Sequence, residues 1–234
     1  MATLSNYLFV SGALLLLFAF VLGVAYTTLL AVGRRTVGSP QLATAGPGGS
    51  APAIDGPDEV PGADTLAGLA HGLTWASFLL MAGSLATRAV IVERGPWGNM
   101  YEFSIAFAVG ILGGYIYVGR RYTIRTIAFI PLGVALFLAG YASTLPATIE
   151  PLVPALDNPP LLTIHVAMAM IAYGVLAVSF GAAVGYLVQG EEDRFSWLPS
   201  HKVLDDVAYR SVVIGFPIFA TMIILGSYWA SIAW

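Results

Sequence analysis

An all-α bundle of membrane-spanning helices is the fold this sequence predicts, and three observations carry that expectation. Hydrophobic residues make up 58% of 234 positions and charged residues 10%, more apolar side chain than a water-soluble globule of this length can bury. The apolar residues are gathered into six long runs free of charge. None of the runs alternates strictly with a period of two, so helices, which satisfy their own backbone groups in hydrocarbon, are expected rather than strands.

The first run, Met1 to Gly33, has no Lys or Arg ahead of it and is longer than the apolar core of a removable signal, so it is expected to persist as a helix. From Thr36 to Asp64 the chain holds six Gly, five Pro and four acids with no basic residue, a composition too polar to order itself. The expected organisation is therefore a first transmembrane helix at 1–33, a flexible cytoplasmic linker at 34–64, and a five-helix membrane domain at 65–234. Within that domain the runs are Thr65 to Thr87, Phe103 to Gly119, Thr126 to Ile149, Asn158 to Gly190 and Ser211 to Trp234, each near the roughly 20 residues a spanning helix needs. The third of the six helices is expected to be the shortest, and Pro131 and Pro217 are expected to kink the fourth and sixth. The loop from Glu191 to Asp206 mixes charges with Phe195, Trp197 and Leu198, a composition suited to the membrane interface.

Basic residues set the expected orientation. Arg34, Arg35, Arg120, Arg121, Arg125, Arg194, Lys202 and Arg210 fall in alternate loops, leaving only Arg88 and Arg94 on the other side. By the positive-inside rule the N-terminus lies outside the cytoplasm. A net charge of −3 offers no basic field for nucleic acid, and the absence of cysteine excludes disulfides, thiol relay and thiolate metal ligation by this chain.

Three histidines carry the candidate chemistry, because imidazole is the one strong neutral iron ligand here and the one side chain that switches its proton near neutrality. His165 sits one to two turns into the fifth helix from its outer end, where an ionisable residue marks a functional site by default. Taken alone, it reads more readily as a histidine bonded to a neighbouring helix or reaching the head groups. His71 opens the second helix near the inner surface, where it suits a role in admitting a cofactor from the cytoplasm. Nothing at helical spacing suggests a partner for it, and a wet interfacial residue is the plainer reading. His201 lies in the charged inner loop and is read as solvated.

The segment from Arg94 to Phe103 is more specific. Gly95 and Gly98 permit a tight path, Pro96 fixes a dihedral, and Trp97 and Tyr101 supply flat amphipathic surfaces that suit a planar ligand or anchor the loop at the interface. Glu102 is expected to pair with Arg94 or Arg88 in a structural role.

The run Arg94-Gly95-Pro96-Trp97-Gly98-Asn99-Met100-Tyr101-Glu102-Phe103 resembles the equivalent loop of the CcsA/ResC cytochrome c assembly proteins, called CcsB in actinobacteria. Leu162 to Tyr173, with His165, is similar to the helix bearing that family's first extracytoplasmic haem-ligating histidine. Leu204 to Arg210 and Gly226 to Trp234 resemble what leads into its tryptophan-rich haem signature.

The resemblance implies a multi-pass protein of a bacterial, actinobacterial-like plasma membrane that handles haem b as part of a haem-lyase-type cytochrome c synthase. It would act with a ResB-type membrane subunit, with apocytochrome c, whose Cys-x-x-Cys-His thiols take the haem vinyl groups, and with a thiol-reducing thioredoxin-like protein. His165 is implied as an axial ligand, and Trp97, Tyr101, Trp229 and Trp234 as a haem platform. With the resemblance added, the ligand reading of His165 overtakes the structural one. Trp234 would match the first tryptophan of the signature, and the family's later helices, with two further histidines, have no counterpart in these residues. A shortened version of a longer protein is the simplest expectation; a site completed by a second polypeptide is the other.

Two further classes fit the residues. A small-solute or proton transporter would also be polytopic, although no paired carboxylates lie within the runs. A cofactor-free scaffold subunit would use its Gly and Ala only for close helix packing.

Overall fold

Backbone groups in an apolar solvent must pair within their own segment, and the chain meets that demand with helices throughout. The computed structural model describes residues 1–37, 60–149 and 151–233, and no strand occurs among them. The helices are α1 (Ala2–Val37), α2 (Ala63–Val92), α3 (Met100–Gly119), α4 (Phe129–Ser143), α5 (Pro159–Gln189) and α6 (His201–Ala233), with short 3-10 turns at Arg125–Ile127 and Pro154–Leu156. Six segments are long and apolar enough to cross a membrane. Most of the expected linker, and Trp234, lie outside the described residues.

The chain reverses at each connection. Ser5 meets Ser84 and Gly12 meets Ser77 in opposite senses across α1 and α2, and His165 meets Gly226 and Gly185 meets Leu204 likewise across α5 and α6. In the parallel pair α3 and α5, Gly110 meets Met170 and Gly114 meets Gly174. One end of the bundle therefore holds Met1, the loop after α2, the loop before α5 and the close of α6. The other holds His71, the Arg120–Ile124 connection and the start of α6.

Lipid supplies no hydrophobic drive for helix association, so small residues and polar bonds set the contacts. Gly110 and Gly114 form a Gly-x-x-x-Gly stripe on α3 that lies directly on the α5 backbone: a Cβ at Gly110 would stand 2.5 Å from the Met170 carbonyl oxygen, and one at Gly174 would run into that of Gly110. Between α1 and α2, Ser5 and Ser84 each donate to the other's carbonyl, at 3.1 and 2.8 Å, and the Ser77 hydroxyl donates to the Gly12 carbonyl at 2.8 Å.

Three expectations are corrected. The shortest helix is α4, not α3, because the 3-10 turn at Arg125–Ile127 takes up the start of its apolar run. α3 is instead the most buried of the six spans, flanked by α2, α4 and α5. Pro131 does not kink α4: it stands in the first turn, where its missing N–H has no helical partner to lose. Pro217 does lie inside α6, which continues through it. Finally, α2 runs past Arg88 to Val92 and α6 begins at His201 rather than Ser211, so charged residues enter both helices.

At the His71 end, Asp193 caps α6 by accepting the His201 amide at 2.6 Å. That bond holds the Asp193 carboxyl below its ordinary range. The Gln189 side chain accepts from the Phe195 amide and donates to its carbonyl, folding the 190–200 loop back on α5. Tyr122 donates to Asp206 at 2.7 Å, and this bond raises the phenol above its usual range.

Candidate functional site

At the Met1 end a buried ion pair organises the connection from α2 to α3. The Arg88 Nε donates to Glu102 Oε1 at 2.9 Å, with both side chains 1% exposed. The remaining guanidinium nitrogens donate to the Ala147 carbonyl at 3.1 and 3.2 Å, and the group lies 5.0 Å from the centre of the Tyr101 ring. Glu102 Oε2 accepts the Gly98 amide at 2.7 Å. Asn99 caps α3 by accepting the Glu102 amide at 2.9 Å and donates to the Thr148 carbonyl at 3.0 Å. Two buried charges are tolerated because every strong donor and acceptor finds a partner. The network ties α2, the Trp97 loop, α3 and the segment after α4 into one piece.

The loop turns its aromatic rings inward. Tyr101 is 3% exposed, edge-on to Phe9, with its hydroxyl 3.4 Å from Asn6 Oδ1. Trp97 is 8% exposed, and its indole nitrogen is buried without a partner. Gly95 is required beside it, since a Cβ there would run into that nitrogen. Trp97 borders an open depression of about 550 Å³ floored by Leu85, Ala89 and Val90 and closed on one side by Thr163.

His165 belongs to a second group. Asn158 caps α5, and Pro159 and Pro160 occupy its first turn, placing His165 in the second. The Cε1–Nδ1 edge of the imidazole lies on Gly226 of α6: a Cβ there would stand 2.7 Å from Cε1 and 3.1 Å from Nδ1. Nε2 is the ring nitrogen further from Gly226, at 3.7 Å from the same point. Trp229, three residues along the same face of α6, stands edge-on with its ring centre 6.1 Å away. The buried Nδ1 has no hydrogen-bond partner.

The two groups are therefore distinct. Thr163 and His165, two positions apart on a helix, point about 200° from each other. The structure joins His165 to Trp229 on the α6 side of α5 and sets Trp97 on the other side, with Tyr101 in the core. Trp234 lies outside the described residues.

His71 has a partner after all: the indole of Trp75, one turn on, donates to its Nε2 at 3.2 Å, and Arg120 covers the Trp75 ring at 5.4 Å. A sequence reading for charge or metal partners passes over an indole donor at i, i+4. Beside His71 is a cavity of about 10 Å³ bounded by Thr74, Tyr115 and Arg125, room for roughly one water and no larger ligand. His201 sits at the start of α6 with Nδ1 3.2 Å from Asp193. No cluster of three or more metal-ligating side chains occurs among the described residues.

The sequence profile of the family described as cytochrome C assembly protein matches residues 97–234. The chain is 27% identical to cytochrome c biogenesis protein CcsA of Guillardia theta, over 71% of this chain and 64% of that protein. It is also 27% identical to CcsA of Prochlorococcus marinus strain MIT 9301, over 67% of this chain and 60% of the relative. Protein HemX of Brevibacillus brevis is 25% identical over 69% of this chain and 62% of its own length. The chain thus spans less than two thirds of each of these three relatives. No solved structure matches it.

Proposed function

The chain belongs to the cytochrome c assembly protein family, and from that premise we propose that it receives haem b as a substrate and presents it at the Met1 end of the bundle for attachment to apocytochrome c. The distribution of arginines supports an extracytoplasmic position for that end, and the resemblance of the Arg94–Phe103 loop to the actinobacterial proteins supports a bacterial, actinobacterial-like plasma membrane. A ResB-type subunit completes the synthase on this reading, and a thioredoxin-like reductant keeps the receiving thiols reduced.

The observation that carries the proposal is the setting of His165. Its ring is fixed against Gly226 and Trp229, its Nδ1 is sealed in protein without a partner, and its Nε2 is left as the nitrogen for iron. Haem, once bound, supplies the vinyl groups that form thioethers with the Cys-x-x-Cys-His thiols. This chain would contribute position: His165 would hold the haem iron, and Trp229 would give the porphyrin a flat neighbour.

The Trp97 loop serves the same end of the bundle from the far side of α5, as a wall fixed by Arg88 and Glu102. Its place across α5 from the His165 group favours a role in shaping the surface that meets a partner over direct stacking on the same haem face.

The visible absorption spectrum of the protein purified from membranes, with its natural partners, tests the reading against His165→Ala. A Soret band lost or shifted in the variant supports axial ligation by His165. An identical band removes His165 from the mechanism, and a colourless wild type from haem-replete cells removes haem handling.

A further inference from the structure

At the end opposite His165, a crevice of about 260 Å³ opens between the close of α3 and the second to fourth turns of α6. Val118 and Val207 form its buried apolar floor, Val213 and Ile214 continue the apolar wall, and Arg121 and Arg210 stand at its polar rim. The bond from Tyr122 to Asp206 fixes its depth by setting the first turns of α6 level with the end of α3. That is the level at which a spanning helix meets the head groups.

The charges there are unequal. Asp206 accepts from Tyr122 at 2.7 Å and from Arg210 Nε at 2.7 Å, so its charge is answered by Arg210. Arg121 forms no ion pair among the described residues. A second observation is independent of the arginines: Ser211 lines the crevice, is 1% exposed, and its hydroxyl has no hydrogen-bond partner. A buried hydroxyl left unpaired is destabilising, and an acceptor entering the crevice would answer it.

We propose that this crevice is a binding site for one anionic phospholipid, with its phosphate between Arg121 and Arg210 and an acyl chain along Val213 and Ile214. Charge complementarity selects the occupant: an uncompensated cation at the interface, above an apolar channel open to the bilayer, fits an anionic head group on a tail. A zwitterionic lipid offers the same tail without the net charge. The site is independent of the haem reading and lies at the other end of the molecule.

Native mass spectrometry of the protein released from nanodiscs of mixed phosphatidylglycerol and phosphatidylcholine tests this, with Arg121→Gln and Arg121→Lys as variants. Arg121 is exposed, so neither change threatens folding. The expected result is retention of about one phosphatidylglycerol per chain, weakened roughly fivefold in Arg121→Gln and restored in Arg121→Lys. Equal retention of phosphatidylcholine, or no effect of Arg121→Gln, overturns the proposal. So does full displacement of the lipid by inorganic phosphate, which marks a free-anion site, or by haem, which marks a porphyrin crevice.

Discussion

Arg88 and Glu102 meet at 2.9 Å inside the bundle, and the pair ties α2, the Trp97 loop, α3 and the segment after α4 together through the Ala147 carbonyl, the Gly98 amide and each other. Removing one partner strands the other as an uncompensated buried charge. Glu102→Gln and Arg88→Met should each lower stability by about 3–5 kcal/mol. The double variant Arg88→Met/Glu102→Leu should recover part of the loss. Thermal unfolding in detergent measures all three, and a double variant no better than the worse single one would show that the hydrogen bonds to Ala147 and Gly98 matter more than the charges.

The seam between α3 and α5 has no room for a methyl group. Gly174→Ala should cost about 1–3 kcal/mol, because the new Cβ meets backbone that cannot move aside. Gly68, exposed on α2 with nothing near its Cβ position, is the control: Gly68→Ala should be neutral or stabilising by up to about 1 kcal/mol. Equal effects of the two changes would contradict the close crossing.

Gly226 positions His165, and a side chain there must push the imidazole away. Gly226→Ala should shift or weaken the Soret band while circular dichroism and melting temperature stay close to wild type. An unaltered spectrum would show that the Gly226 contact does not set the haem environment.

Trp97 is buried beside Gly95, and the ring that His165 meets is Trp229. Trp97→Ala should cost about 3–5 kcal/mol by leaving a cavity, with haem retention falling only as far as folded protein falls. Trp97→Phe should preserve most of both. Loss of haem from a fully folded Trp97→Phe protein would instead assign the indole to haem contact.

The cap on α6 depends on an ionised carboxylate. The folded state lowers the Asp193 pKa from 3.8, so its contribution is complete above that value and is lost as pH falls through the lower folded value. Amide exchange at His201 should accordingly quicken only in strong acid. In Asp193→Ala it should be fast at every pH, and protection unchanged by that substitution would rule out the cap.

The number of helices was legible in the sequence because hydrocarbon demands long apolar segments, a rule with few exceptions. Their ends were less so. A search for charge-free runs stopped α2 at Thr87, since a charged residue inside a span is admissible only if a partner such as Glu102 neutralises it, and that pairing depends on the fold. α4 came out shortest because backbone entry geometry before Pro131, rather than hydropathy, decides where its first turn forms. Among site residues, the position of His165 near one end of α5 could be read directly. Its contact with Gly226 and Trp229 could not, because it arises only when α5 and α6 dock, and glycine carries no chemical signature of what will rest on it. The bond from Trp75 to His71 was available at i, i+4 spacing, hidden by treating tryptophan as apolar surface.

Where Gly110, Gly114 and Gly174 bring α3 and α5 backbone to backbone, the seam between the two helices is shut to anything with atoms to spare. A flat molecule passing from the His71 end to the Met1 end has no lane between these two helices. Whatever passes between the two ends must do so elsewhere than along this seam.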